Sequence, residues 1–202
     1  MCSEQLRTWG AEFGGDYHGR NYRAGLKQRI RLWAQILGHI EPESILEVGA
    51  GTGTNLIALS HISDAELLAV EPNSQARMAI PERDSYGRGI GAIGGDASGI
   101  PVAGTVELVF TSGVLIHIPP DELDAALDEI YRVSSRYIAC IEYFSDQLEA
   151  KTYRGEEGLL WTRDFGSYWM DRFPDLGVVR CGFAWKRTTG LDNLTYWLFE
   201  KR

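Results

Sequence analysis

The densest chemical signal in the chain is Glu47-Val-Gly49-Ala-Gly51-Thr-Gly53, where three alternate glycines follow an acid. Glycines at this density let a backbone turn sharply and lie close against a ligand. The loop differs from the dinucleotide fingerprint G-x-G-x-x-G/A, because its third glycine comes one residue early and Thr54 takes the fingerprint position. A second signal is Glu71, closing the apolar run Glu66-Leu-Leu-Ala-Val. A carboxylate at a strand end can accept both hydroxyls of a ribose in a bidentate geometry. NAD enzymes use an acid in the same way, so Glu71 by itself does not choose between nucleoside cofactors.

Two later segments carry further candidates. Gly95-Asp96-Ala97 is an acidic turn. Phe110-Thr-Ser112-Gly113-Val-Leu-Ile-His117-Ile-Pro-Pro120 leaves a strand at the sheet edge where open α/β folds bind ligands. His117 is a candidate general base or acceptor contact, since neutral imidazole takes protons near pH 7. Glu142, just past the apolar strand Tyr137-Ile-Ala-Cys-Ile, is placed to orient an attacking amine and take a proton, with Tyr143 beside it. Tyr17 is a further catalytic candidate, and with the substrate-binding candidates Tyr153, Arg154 and Trp161 it could form a lid over the acceptor.

The elements that must position these residues alternate. A helix is expected from about Arg20 to Leu37, with Leu26, Ile30, Trp33 and Leu37 at helical spacing toward a core. Strands follow at Ser44–Gly49, Glu66–Glu71, Gly91–Ile93, Val106–Thr111 and Arg136–Phe144, separated by helices from Asn55, at Gln75–Met78 and at Asp121–Val133. Strands alternating with helices imply right-handed crossovers and a parallel sheet. From Ser145 an irregular loop leads to a short helix at Asp164–Phe173, capped by Asp164. The runs Gly177–Lys186 and Asn193–Glu200, with Thr189-Gly190 between them, read as an antiparallel hairpin on the sheet edge. Trp169, Trp185 and Trp197 are expected to pack in the core or the hairpin.

The reading is one α/β domain over residues 1–202: an N-terminal helical lid region (1–43), a cofactor-binding core (44–144), and an acceptor loop with closing hairpin (145–202). Length and composition suit one globular domain, with 44% hydrophobic and 24% charged residues. The net charge of −8, with no Lys/Arg cluster, argues against nucleic acid as partner. Cys2, Cys140 and Cys181 include no C-x-x-C spacing, so neither a disulfide framework nor a zinc site is expected. The polar N-terminus lacks a signal-peptide core, and no run has the length of a membrane span; a cytoplasmic location, without membrane or metal, is expected. A monomer or homodimer is consistent with all of this.

Taken together, Glu47-x-Gly49-x-Gly51-x-Gly53, Glu71, Asp96 and the segment after the fourth strand resemble class I S-adenosylmethionine-dependent methyltransferases. The resemblance implies a doubly wound, mostly parallel seven-stranded sheet with a C-terminal antiparallel hairpin. It implies S-adenosylmethionine as cofactor and S-adenosylhomocysteine as product. It assigns the cofactor's amino-acid part to the loop with Glu47, Gly49, Ala50, Gly51, Thr54 and Asn55. The ribose falls to Glu71 and Pro72, the adenine to Asp96 and Ala97, and backbone contacts to Ser112 and Gly113. Further residues extend the match along nearly the whole chain: Trp9, Glu12-Phe-Gly14, Asp16-Tyr17, Arg20-Asn21, Glu142-Tyr143, Tyr153-Arg-Gly155, Arg163-Asp-Phe165 and Asp192–Glu200. As a set they resemble the methylases associated with pseudaminic-acid and related polysaccharide biosynthesis.

The implied reaction is methyl transfer to a small molecule. An acidic, aromatic site suits an amine, which places nitrogen slightly ahead of a sugar hydroxyl. A NAD-dependent oxidoreductase fits less well, given the position of Gly53 and the closing hairpin. A non-catalytic cofactor-binding protein and a protein methylase complete the alternatives.

Overall fold

The computed structural model describes residues 25–202 apart from Arg154. Trp9, Phe13, Tyr17, Tyr22 and the first turn of the helix expected from Arg20 lie outside the described residues, as does Arg154.

Seven strands form one sheet in the order β3-β2-β1-β4-β5-β9-β8. The strands are β1 (Ser44–Val48), β2 (Glu66–Val70), β3 (Ile90–Ile93), β4 (Val106–Ser112), β5 (Ser134–Glu142), β8 (Leu176–Ala184) and β9 (Leu194–Lys201). The first five run parallel, and β9 and β8 join antiparallel. The chain steps outward from β1 to β2 to β3, then returns to the other side of β1 with β4. That reversal opens a crevice at the carboxyl ends of β1 and β4, where folds of this kind bind ligands.

Each strand feeds two cores because its side chains alternate between faces. Ile45, Leu108 and Ala139 face a cluster with α1 (Leu26–Leu37) and α2 (Thr54–Ser60). Leu46, Val109 and Ile138 face a second cluster with α4 (Leu123–Val133) and α5 (Phe165–Arg172). Burial on both faces makes β1 and β4 nearly continuous apolar runs. In α1, Trp33 and Leu37 are buried and Leu26 and Ile30 pack at the cluster's margin. Trp33 meets Phe110 of β4 edge-on, ring centroids 4.4 Å apart. This contact fixes α1 over the carboxyl edge of the sheet. The short α3 (Ser74–Met78) follows β2, its N-terminus capped by the Asn73 side chain.

One expectation is corrected. The stretch after Phe144 is not an irregular loop: β6 (Glu149–Tyr153) and β7 (Glu156–Thr162) pair as a separate antiparallel ribbon. Alternation along Glu149–Thr162 is masked by its charged and mixed residues, because one face of a lone ribbon need not be apolar. The expected antiparallel closing hairpin is present as β8 and β9. A short α6 (Lys186–Thr189) stands between β8 and β9 and ends on Gly190 at φ 75°. Trp169 and Trp197 are buried, whereas Trp185, which opens α6, is half exposed.

Candidate active site

Val48 ends β1, and the chain then turns through three glycines with positive φ: Gly49 at 73°, Gly51 at 55° and Gly53 at 72°. L-residues with a Cβ rarely hold that region, so the glycines are required by the path itself. Gly49 is required by space as well. A Cβ there would lie 2.6 Å from Val114 Cγ2, on the segment after β4. The loop is tied to β2 by Gly49 and Ala50, whose N–H groups donate to Val70 O at 2.8 and 3.1 Å.

A cavity of about 200 Å³ lies along this loop at the switch point of the sheet. Glu47, Gly49, Ala50, Gly51, Thr54 and Asn55 line it on the loop side. Glu71 and Pro72, Asp96 and Ala97, and Ser112 and Gly113 line it from the ends of β2, β3 and β4. Every residue expected at the cofactor is thus brought to one cavity, together with His117.

Two acids in the cavity wall are buried, and each is held differently. Glu71 accepts from Gly51 N at 2.7 Å through one oxygen and from Asn73 N at 2.8 Å through the other. Burial raises its carboxyl above the usual range, opposed by those two amides. Each oxygen keeps a second lone pair for a ligand. Glu47 accepts the Asn55 amide at 2.6 Å through Oε1. Its Oε2 is buried with no hydrogen-bond partner among the described residues. Burial pushes Glu47 up to about 8, opposed by the Asn55 bond and by Arg29. Arg29, from α1, donates to Asn55 Oδ1 at 2.8 Å. This fixes the Asn55 amide with oxygen toward Arg29 and nitrogen toward Glu47. Asp96 has one oxygen engaged by the Ser98 N–H and hydroxyl, at 2.9 and 2.6 Å.

His117 ends a 3-10 turn, Leu115–His117. Its Nδ1 lies 2.6 Å from Leu159 O of β7. A carbonyl only accepts, so Nδ1 carries the proton and, in the neutral ring, Nε2 does not. Burial lowers the histidine to about 4, which keeps the ring neutral. The Tyr153 ring stands edge-on to it, centroids 5.1 Å apart.

Four expected acceptor-side positions fall elsewhere. Glu142 is fully buried and does not line the cavity. Its carboxylate accepts N–H groups of Val114 (3.1 Å), Leu115 (3.2 Å) and Ile116 (3.5 Å). The expectation that it meets the acceptor is therefore corrected: β5 ends beneath the 3-10 turn rather than beside open space. Tyr143 hydrogen-bonds Asp192 at 3.1 Å on the exposed side of the sheet edge, and Trp161 sits opposite Ala150 in the ribbon. Neither they nor Tyr153 lines the cavity, although Tyr153 borders it through His117. Tyr17 and Arg154 lie outside the described residues. Among the described residues no group of three His, Cys, Asp or Glu converges as a metal site, and no helix is long and apolar enough to cross a membrane.

Sequence reasoning missed Arg29, Thr52, Ser98, Val114, Pro119 and Glu122, which also line the cavity. Arg29 left one trace. It lies one turn before Trp33 on an otherwise apolar helix face, where a charge needs a buried partner.

Residues 45–136, just under half of the chain, match the family described as a methyltransferase domain. No curated protein matches by sequence. Many solved chains share the fold, among them three methyltransferases. One is the 1,6-didemethyltoxoflavin-N1-methyltransferase of Burkholderia thailandensis with bound S-adenosylhomocysteine, 17% identical, covering all of this chain and 90% of that one, TM-score 0.73. Another is the magnesium protoporphyrin IX methyltransferase of Synechocystis PCC 6803 with bound SAM, 14% identical over 99% and 98%, TM-score 0.69. A third is a glycopeptide N-methyltransferase with S-adenosylhomocysteine, 12% identical over 89% and 91%, TM-score 0.69. The α/β Rossmann-like fold of this chain is the one on which those methyltransferases are built.

Proposed function

We propose that this chain transfers the methyl group of S-adenosylmethionine to a small molecule, with an amine nitrogen ahead of a hydroxyl oxygen as the attacking atom. One observation carries the reading: a buried carboxylate oxygen of Glu47 without a protein donor among the described residues, on the cavity wall that also holds Arg29. A zwitterionic amino acid answers both groups, its ammonium meeting Glu47 and its carboxylate meeting Arg29. Further along the cavity, the spare lone pairs of Glu71 suit a ribose diol, and Asp96 with Ala97 suits a base edge. An amino-acid head joined to a nucleoside is what the sulfonium cofactor presents. NAD lacks the ammonium that Glu47 calls for.

When bound, the cofactor supplies an electrophilic methyl group on sulfur. The protein's part is then to position the partners and exclude water. His117 is held in one tautomer by Leu159 and stays neutral, so its Nε2 accepts a hydrogen bond from the attacking group and orients it, while burial makes the ring too weak a base to keep that proton near pH 7. Tyr153 stands edge-on to that ring and supports it from outside the cavity. Two of the solved chains above are N-methyltransferases by name, which supports nitrogen. The polysaccharide-associated branch that the whole motif set resembles supplies a sugar hydroxyl as the competing acceptor.

The test is incubation with S-adenosylmethionine and two panels, small amines and sugar hydroxyl compounds, with S-adenosylhomocysteine and methylated product read by mass spectrometry. Product from the amine panel is expected. His117→Ala should lower turnover by about a hundredfold while S-adenosylhomocysteine binding persists. Turnover of hydroxyl acceptors alone would reassign the acceptor. Failure to bind S-adenosylhomocysteine would reject the reading.

A further inference from the structure

The segment 113–117 is where the two halves of the site meet. Gly113, Val114 and His117 line the cavity. Val114 also presses on Gly49 of the glycine turn, leaving no room for a Cβ there. The position of this short segment therefore sets both the width of the cofactor cavity and the place of His117.

Bonds at both ends and inside the turn fix that position, where His117 N–H donates to Val114 O at 2.9 Å. Gly113 N–H donates to Ile141 O at 2.9 Å, and the His117 ring donates to Leu159 O at 2.6 Å. Between these two ends, the N–H groups of Val114, Leu115 and Ile116 sit at the start of a 3-10 turn, where no carbonyl of the turn can receive them. They converge on one side chain, Glu142, at 3.1, 3.2 and 3.5 Å. That side chain is shut off from solvent and from the cavity.

We propose that Glu142 is the positioning residue of the site: its carboxylate, sealed under the 3-10 turn, holds the amides of residues 114–116 and so sets Val114 against the glycine turn and His117 toward the acceptor. What the turn is positioned for rests on the methyltransferase reading; that Glu142 positions it does not.

A carboxylate suits this task because it only accepts. Both oxygens face N–H groups, and a proton on either would set donor against donor. Several groups surround it. Thr111 of β4 lies close by, its buried hydroxyl making no hydrogen bond among the described residues. Cys140 on β5 feels the charges of both Glu142 and Asp164, the residue before α5, and has the Trp169 indole beside it. His117, on the turn itself, stays neutral down to about 4. Burial raises Glu142 to about 7, against the pull of the amides. The hold on the turn is accordingly half lost at about pH 7, full well above it and released well below it.

The test is a pair of measurements on the full chain. In proton–nitrogen NMR spectra of the ligand-free protein, the Val114 and Leu115 amides should titrate together with a midpoint of about 7. In Glu142→Gln that titration should be gone, because the amide side chain neither ionises nor offers two acceptors. By calorimetry at pH 8, Glu142→Gln should bind S-adenosylhomocysteine about tenfold more weakly, the loss of about one charge-assisted hydrogen bond. Glu142→Asp should recover part of it. Amides 114 and 115 that do not move between pH 5.5 and 8.5 in the unaltered protein would overturn the proposal. So would a Glu142→Gln protein that loses thermal stability yet binds S-adenosylhomocysteine unchanged. Should the unaltered protein titrate as expected and bind no S-adenosylhomocysteine, the positioning role stands and the cofactor reading falls.

Discussion

Asn55 donates its side-chain amide to Glu47 Oε1 at 2.6 Å, across the turn that joins β1 to α2. The carbonyl end of the same amide takes the Arg29 guanidinium from α1 at 2.8 Å. One residue thus orients the buried acid and links the glycine loop to the helix above it. Asn55→Leu removes the donor that partly offsets the burial of Glu47. Stability should fall by about 1–3 kcal/mol in urea titration, the cost of a buried polar group left unmatched. Affinity for S-adenosylhomocysteine should fall at least tenfold by calorimetry.

The acid itself makes folding and binding depend on pH. Glu47 is raised from 4.5 to about 8 by burial. The folded chain therefore holds a proton that the unfolded chain has released. Its contribution to stability is fully present below about 4.5 and is lost as pH rises through 8. Glu142, raised to about 7, acts in the same direction. The urea midpoint of the ligand-free protein should thus decline from pH 5 to pH 8.5, and Glu47→Gln should flatten part of the slope.

A ligand ammonium reverses that preference. Binding of S-adenosylhomocysteine near pH 7 should release a proton from Glu47, seen as a binding enthalpy that differs between phosphate and Tris buffers. Glu47→Gln should remove the difference and weaken binding.

Glu71 joins loop and ligand. Its two oxygens hold Gly51 N and Asn73 N, at 2.7 and 2.8 Å. Glu71→Ala loses both, together with the proposed ribose contacts. Each charged hydrogen bond contributes roughly 1.5–3 kcal/mol, so affinity should drop about a hundredfold or more. Unchanged calorimetric affinity would remove Glu71 from the site.

Gly49→Ala places a methyl 2.6 Å from Val114 Cγ2 at a φ of 73°. The variant should lose about 1–3 kcal/mol and most of its cofactor binding. Val114→Ala in the same chain should restore the part that is collision and leave the part that is backbone strain.

The sequence by itself determined the strand–loop–helix order, the glycine turn and the acids at 47, 71 and 96, because each rests on local rules. Apolar runs of four to six residues mark doubly buried strands, and three alternate glycines mark a path that residues with a Cβ rarely follow. Tertiary structure alone decided what Arg29 and Glu142 do. Arg29 reaches the cavity because Trp33, one turn on, docks edge-on against Phe110, a contact between residues far apart in the chain. Glu142 looked like an acceptor-side base because it ends a strand at the ligand edge. Its role turned on which backbone amides came to rest above it, and those belong to a turn more than twenty residues earlier. The β6–β7 ribbon was hidden for a related reason. Its strands pair only with each other, and apart from Leu160 and Thr162 its described residues are exposed or half-buried, so too few apolar positions were left to read as an alternating strand.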